Sequence, residues 1–195
     1  MANVFAIHSV GQSIADYLSK TYPKELSDPH PCAFRVVASH DLVKAEEFAN
    51  TTISIYLYRI TVNEYLRNAA RAISPTDVNV PLTLDLHYLI TAWANDFLTE
   101  HLIMAWAMRA LYQRQTLTAA ELSPEANWGP SDIVTLVPSE LSTQDVMRIW
   151  DVFEPKYRLS VTYVARAVRI DADLDRASYK PVVARREEYD KQEGP

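Results

Sequence analysis

Asp85 and His87 form the pair of side chains whose types and spacing come closest to an active or metal-binding centre. They lie two residues apart in the segment LTLDLHYLIT, in which apolar and polar residues alternate. In a strand, residues two apart share one face, so the carboxylate and the imidazole are expected to point the same way. Such a pair could serve a small hydrolase or toxin, or contribute to a metal centre.

The rest of the sequence does not complete a metal centre around this pair. A metal ion needs three or four ligands, and the HExxH motif is absent. No ligand spacing is found among the other histidines, which are His8, His30, His40 and His101. We therefore predict no metal and no other cofactor, and interpret Asp85 and His87 as polar groups on a sheet face. The hydrolase or toxin is kept as an alternative.

Cysteine and glycine usage narrow the possible chemistry further. Cys32 is the only cysteine, so no disulfide forms within the chain and a reducing compartment is permitted. A nucleophilic thiol needs a nearby histidine, and a small buried apolar residue is the simpler interpretation of Cys32. The sequence has three glycines, whereas about fourteen would be ordinary for its length. Phosphate-binding loops and nucleophile elbows need clustered glycines, so those enzyme classes are excluded.

The overall composition is that of a globular protein with a real core. The chain has 195 residues, of which 48% are hydrophobic and 23% charged. Its formal net charge of −6 argues against a general binder of nucleic acids or anionic membranes. No signal peptide is recognised at the N-terminus, and the longest apolar run, residues 102–107, is too short to span a membrane. We expect no nucleic-acid partner and no direct membrane insertion.

Five segments have the composition and alternation of strands: residues 32–39, 51–62, 82–91, 133–137 and 156–170. The alternation in the second segment predicts two apolar faces, with Ile53, Ile55 and Leu57 on one and Tyr56, Tyr58, Ile60 and Val62 on the other. A strand of this kind is central and covered on both sides. Arg59 is then expected to be buried and to need a fixed carboxylate or carbonyl partner, within the chain or across a subunit boundary.

Helical periodicity marks residues 4–19, 95–115 and 142–153, with Ser142 or Thr143 able to cap the third helix. Asn63 follows a strand directly and is expected to hold the turning backbone with its side chain. The last strand, residues 156–170, would span roughly 50 Å, which exceeds a normal strand, so it must bend, break or protrude. Beyond it, 12 of the residues 171–195 are charged. We predict a domain of residues 1–170 and a charged arm of residues 171–195, which lacks a core of its own.

Three segments have an order and spacing that resemble a known family: IYLYRITVNEYLRN (55–68), LTLDLHYLITAWANDFLTEHLIMAWAMRAL (82–111) and IWDVFEPKYRLSVTYVARAVRI (149–170). The family is the N-terminal domain of the cap, or tail-terminator, proteins of extracellular contractile injection systems. The helical opening IHSVGQSIADYL fits as well. The resemblance implies an α/β (α+β) fold of tail-terminator type, with a single mixed, mostly antiparallel sheet flanked by helices.

The resemblance also implies a function. Six copies would form a ring that closes the distal end of the inner tube and outer sheath, with no catalytic residues. The expected partners are the chain itself, as a homohexamer, and the tube and sheath proteins. Assembly is expected in the bacterial cytoplasm, after which the protein is a component of the injection particle. An assembly chaperone or adaptor on the same fold, not retained in the particle, is the alternative.

Twelve residues are expected to act through contacts and geometry rather than through chemistry. Five lie in or just after the strand of residues 51–62, three in the next strand and four in the last strand. They are Tyr58, Arg59, Asn63, Arg67, Asn68, Asp85, His87, Tyr88, Arg158, Ser160, Tyr163 and Arg166.

Overall fold

A computed structural model of the chain describes residues 2–43, 48, 50–66, 81–153 and 157–171. Within these residues, the strands of a single mixed sheet are β1 (Ala33–Val37), β2 (Thr52–Val62), β3 (Leu82–Trp93), β4 (Thr116–Thr118), β5 (Ile133–Ser139) and β6 (Ser160–Ile170). Their order across the sheet is β1-β2-β3-β6-β5-β4. Only β1 and β2 are parallel, and the other pairs are antiparallel. The predicted fold class, an α+β protein with a mixed and mostly antiparallel sheet, is confirmed.

The helices that the structure describes in full are α1 (Ala6–Thr21), α2 (Lys24–Ser27), α3 (Ser39–Val43), α4 (Phe97–Gln113) and α5 (Thr143–Asp151). The Asp96 side chain caps α4 by accepting from the Thr99 amide at 2.8 Å. Ser142 caps α5 by accepting from the Asp145 amide at 3.2 Å, as predicted. The sequence did not indicate the short α2 or β4. Among the described helices, none is long and apolar enough to cross a membrane.

One face of the sheet is covered by α1 and α4, which bury the larger apolar core. Val10, Ile14 and Leu18 of α1 recur every fourth residue, so they form one stripe, and all are fully buried. Ile103 and Leu111 of α4 are buried in the same core. The apolar stripes of the helices and the apolar faces of the strands thus meet in one layer of side chains.

A second, smaller core covers one end of the opposite face. Trp93 lies at its centre, with its ring stacked on Phe48 at a centroid distance of 4.0 Å and its indole N–H donating to Ser54 Oγ at 2.8 Å. Trp150 of α5 approaches Trp93 edge-on and is 3% exposed. Nearer the start of β3, this face remains partly exposed to solvent.

A bulge in β2 inserts Tyr58 between two regular pairs with β3. Because strand side chains alternate with period two, one additional residue exchanges the faces of all residues that follow. Ile60 therefore lies on the face of the larger core and Arg59 on the opposite face, beside His87. The predicted face assignment of this strand is correct as far as Tyr58, which packs against the second core with Tyr56, and wrong from Arg59 onward.

The last strand is shorter than predicted and is not straight. Regular pairing begins at Ser160, and the register with β3 shifts where Arg166 and Ala167 together oppose the single residue Asp85. Such a bulge bends the strand and increases its twist. The expectation that this segment bends or breaks is confirmed. Although β6 comes last in the described chain, it lies inside the sheet between β3 and β5.

Candidate assembly surface

The partly exposed end of the second sheet face brings together several residues that the sequence analysis singled out. Three neighbouring strands contribute side chains there, and the bulges of β2 and β6 lie on either side of β3. Bulges re-aim side chains and are found where a sheet must present specific groups. We define the polar patch as Arg59, Thr61, Asn63, Asp85, His87 and Arg166.

Asp85 fixes the bulge of β6 through its carboxylate. Its Oδ1 accepts a hydrogen bond from the Ala167 amide at 3.0 Å. Ala167 has φ of 61°, a left-handed conformation that a residue with a Cβ adopts at a cost. The carboxylate therefore supplies a partner to a backbone amide that the bulge has removed from the strand ladder. Asp85 serves the backbone rather than a reacting group.

Replacing Ala167 with glycine is expected to stabilise the protein. Glycine has no Cβ to disfavour the positive φ, so the free energy of unfolding should rise by about 0.5 to 1 kcal/mol. Urea unfolding of the two proteins measures the difference. Ala105→Gly in the regular, exposed part of α4 is the matched control, and it should lower the stability by about 1 kcal/mol. An equal loss in both variants would show that the φ of Ala167 carries no strain.

Asn63 holds the end of β2 to the start of β3. Its amide nitrogen donates to both carboxylate oxygens of Asp85 at 3.2 Å, and its Oδ1 accepts from the Leu66 amide at 3.1 Å. Its own backbone N–H donates to the Thr83 carbonyl at 2.9 Å. The prediction that Asn63 supports the turning backbone is confirmed, and the side chain also links that turn to Asp85.

His87 is hydrogen-bonded on the other side of the patch. Its Nε2 lies 2.9 Å from Thr61 Oγ1, and its ring contacts the Tyr58 ring at a centroid distance of 6.0 Å. Burial lowers the pKa of His87, and the charges of Arg59 and Arg166 lower it further, against a smaller opposing effect of Asp85. The imidazole is therefore held neutral at neutral pH.

The lowered pKa of His87 predicts a pH dependence of stability. The unfolded imidazole titrates at about pH 6.5, above the folded one, so at lower pH the unfolded state binds more protons and is favoured. The wild-type chain should thus lose more unfolding free energy between about pH 7 and about pH 5 than His87→Gln does. Urea titrations at both pH values test this. Equal losses in the two proteins would mean that the neutral imidazole contributes nothing.

The geometry of the patch does not assemble a catalytic pair. The carboxylate of Asp85 is used by Ala167 and Asn63, and Nε2 of His87 by Thr61. Within the described part of the chain, no hydrogen bond joins Asp85 to His87. No group of three or more histidine, cysteine, aspartate or glutamate residues there could hold a metal ion. The arrangement is one that shapes a surface.

The position of Arg59 differs from the buried one that the sequence predicted. It is exposed rather than buried, and no carboxylate among the described residues pairs with it. The reason is the bulge at Tyr58, which turns Arg59 away from the larger core, at a place that the second core does not reach. Arg166 is exposed as well. The two guanidinium groups therefore give the polar patch a local positive charge within a chain of net charge −6.

Two of the tyrosines singled out belong to the larger core. Tyr88 and Tyr163 are opposite each other on β3 and β6, at 1% and 2% exposure. Burial raises the pKa of both phenols. The Tyr88 hydroxyl has no hydrogen-bond partner in the part of the chain that the structure describes. Their rings act in packing.

The remaining candidates lie elsewhere. Ser160 Oγ is within 2.9 Å of both Thr91 Oγ1 and the Arg158 carbonyl oxygen. The Arg158 guanidinium lies over the Trp93 ring, 5.6 Å from its centroid. Arg158, and Ser160 through its hydrogen bond to the Arg158 carbonyl, therefore support the second core. Arg67 and Asn68 fall outside the described residues, as does most of the charged arm.

Cys32 is half-buried rather than fully buried and packs against the larger core. Burial raises the pKa of its thiol to about 11. The thiol is therefore protonated at neutral pH, which does not favour a nucleophile. Sequence reasoning missed Thr61, which bonds His87, and Ala167, whose amide donates to Asp85. The register of β2 with β3, which the bulge at Tyr58 shifts, brings Thr61 to His87, and nothing in the sequence marks this shift or the conformation of Ala167.

Comparison with known proteins identifies a family match and solved structures with a similar fold. A family model described as the Pvc16 N-terminal domain matches residues 9–184. No curated protein sequence matches the chain. A solved sheath/tube terminator of an extracellular contractile injection system, PVC, in the extended state is similar with a TM-score of 0.58 and 18% identity, over 96% of this chain and 64% of that one.

A second solved structure, the tube-terminating cap of the anti-feeding prophage, is similar with a TM-score of 0.57 and 16% identity, over 93% of this chain and 59% of that one. At these identities the two structures share the fold with this chain. The chain spans about 64% and 59% of their lengths. Because the family model covers most of the sequence, this chain belongs to the Pvc16 N-terminal domain family.

Proposed function

We propose that this chain is a structural subunit that closes the end of the tube and sheath of a contractile injection particle. The observation that carries the proposal is the family match over residues 9–184, supported by the likeness in fold to two terminators of such particles. The likeness includes nearly the whole chain, so it concerns the complete sheet and not one motif.

A non-enzymatic role agrees with the chemistry of the polar patch. Its carboxylate and imidazole are each engaged by a neighbouring group of the fold, and its arginines are exposed. A patch of this kind offers contacts to a neighbouring chain. The hydrolase or toxin alternative would need Asp85 and His87 to leave these partners.

The assembly we propose is a closed ring of six copies, in contact with the tube and sheath proteins. A closed ring with head-to-tail interfaces leaves no free filament end. Assembly would take place in the bacterial cytoplasm, and the ring would then remain with the particle, without nucleic acid or membrane insertion. The boundary between a domain of residues 1–170 and a charged arm of residues 171–195 stays a prediction.

Electron microscopy of intact particles tests this function. Particles from wild-type cells should carry a ring of this protein at one end, and particles from cells without it should have open tubes of variable length. The assembly-chaperone alternative gives a different result, because the protein would be needed for assembly yet be absent from purified particles. Particles of normal length and a closed end in the deletion strain would contradict both.

A further inference from the structure

The outer edge of β2 is only partly paired. β1 follows β2 in parallel as far as the pair of Val37 with Tyr56 and then ends. On its other side β2 stays paired with β3 as far as Val62. Among the residues that the structure describes, no strand pairs with the outer edge of residues 57–62. An unpaired strand edge presents alternating N–H and C=O groups to which another extended segment can bind.

On the face of the sheet that carries the larger core, the side chains along this edge are apolar. Leu57 is half-buried, while Ile60 and Val62 are 46% and 43% exposed. Val4 and Phe5, just before α1, line a groove together with Leu57 and are 73% and 55% exposed. Exposed apolar side chains that cluster at a strand edge indicate a binding surface rather than a solvated one.

A groove of about 300 Å³ continues this apolar row below α1. Its walls include Phe5, which precedes α1, Gly11 of α1, Val36 near the end of β1, and Leu57. Tyr88 also lines it, and its hydroxyl is one of two buried groups without a hydrogen-bond partner among the described residues. Through Leu57, the groove and the free edge of β2 share one apolar surface.

The other face of the same edge is polar and positive. Beyond the bulge, Arg59 points to the polar patch and is exposed without a carboxylate partner in the described chain. A strand added to this edge would therefore meet apolar side chains on one face and a guanidinium on the other. Its own residues should alternate between apolar and acidic to match.

Among the described strands, those at the opposite edge of the sheet do not match this edge as a second copy would require. The structure gives β4 only three residues, and β5 carries Pro138, which has no N–H to donate. We propose that residues 57–62 of β2 are a docking site for an extended segment of a different protein, in which apolar residues alternate with acidic ones. The proposal goes beyond the capping role, since it follows from the strand edge alone.

The test uses a fluorescent octapeptide of alternating valine and glutamate and the purified full chain, with binding followed by fluorescence anisotropy. We expect saturable binding that weakens at least about tenfold in Ile60→Lys, since a charge then replaces a central apolar contact. Ile133→Lys is the matched control, because Ile133 is 53% exposed on a strand at the other side of the sheet. It should bind like the wild type. Arg59→Glu should instead prefer an octapeptide of alternating valine and lysine.

Methylated backbones show whether the peptide binds as a strand. Successive N–H groups of a strand point to opposite sides, so one alternate set faces β2 and the other faces away. Of two octapeptides, N-methylated at every valine or at every glutamate, one should lose binding and the other keep it. Binding by both, no saturable binding of the parent peptide, or unchanged affinity in Ile60→Lys would overturn the proposal. An oligomer that Ile60→Lys dissociates in sedimentation velocity would assign the edge to a second copy instead.

Discussion

Asp85→Ala should lower the free energy of unfolding by about 2 to 3 kcal/mol, because hydrogen bonds to a charged acceptor are lost and the Ala167 amide loses its partner. Asn63 also loses the carboxylate that holds its side chain. Equilibrium unfolding in urea, followed by circular dichroism, measures the change. The effect is large for a half-exposed carboxylate because Asp85 connects two strands to β3.

Two further variants test whether the stability lost in Asp85→Ala comes from its support of the β6 bulge. Asp151→Ala, at an exposed position of α5, should stay within about 0.5 kcal/mol of the wild type. Asp85→Asn keeps an oxygen for the Ala167 amide and should lose less stability than Asp85→Ala. If Asp85→Ala were as stable as the wild type, the carboxylate would not support the bulge, and a chemical role for Asp85 would regain interest.

Trp93→Ala is expected to cost more, about 4 kcal/mol, as for other large aromatic side chains removed from a core. Trp93 stacks on Phe48, contacts Trp150 and bonds Ser54, so its loss removes the centre of the second core. Urea unfolding and the midpoint temperature of thermal unfolding both measure this loss of stability. Tyr112→Ala, which removes a 66% exposed ring from α4, is the control and should change little. A loss below about 1 kcal/mol for Trp93→Ala would show that the second core contributes little.

Alternation and helical periodicity predicted most of the elements of this fold. The strands β2, β3, β5 and β6 and the long helices α1, α4 and α5 were found with ends that differ by a few residues. Each is long enough for its period to be read, and the capping serine of α5 marks its start. The three-residue β4 is too short to show any period.

The arrangement of the polar patch was beyond the reach of the sequence because two bulges determine it. Periodicity assumes an uninterrupted strand, so the insertion of Tyr58 reversed the predicted faces from Arg59 onward. Arg59 was expected in the core for the same reason and is in fact exposed. The pairing of Asp85 and His87 on one face was correct, since β3 itself has no extra residue there. Their partners come from neighbouring strands, whose register the sequence does not reveal.

The interior position of β6 sets the time at which this protein can fold during synthesis. Until residue 170 has left the ribosome, β3 and β5 have nothing between them, and the growing chain holds two separate sheet fragments. Strand pairs distant in sequence, such as Thr91 with Ser160, also form late because the loop they close is long. A nascent or truncated chain without β6 therefore lacks the finished sheet and the polar patch that β6 helps to form.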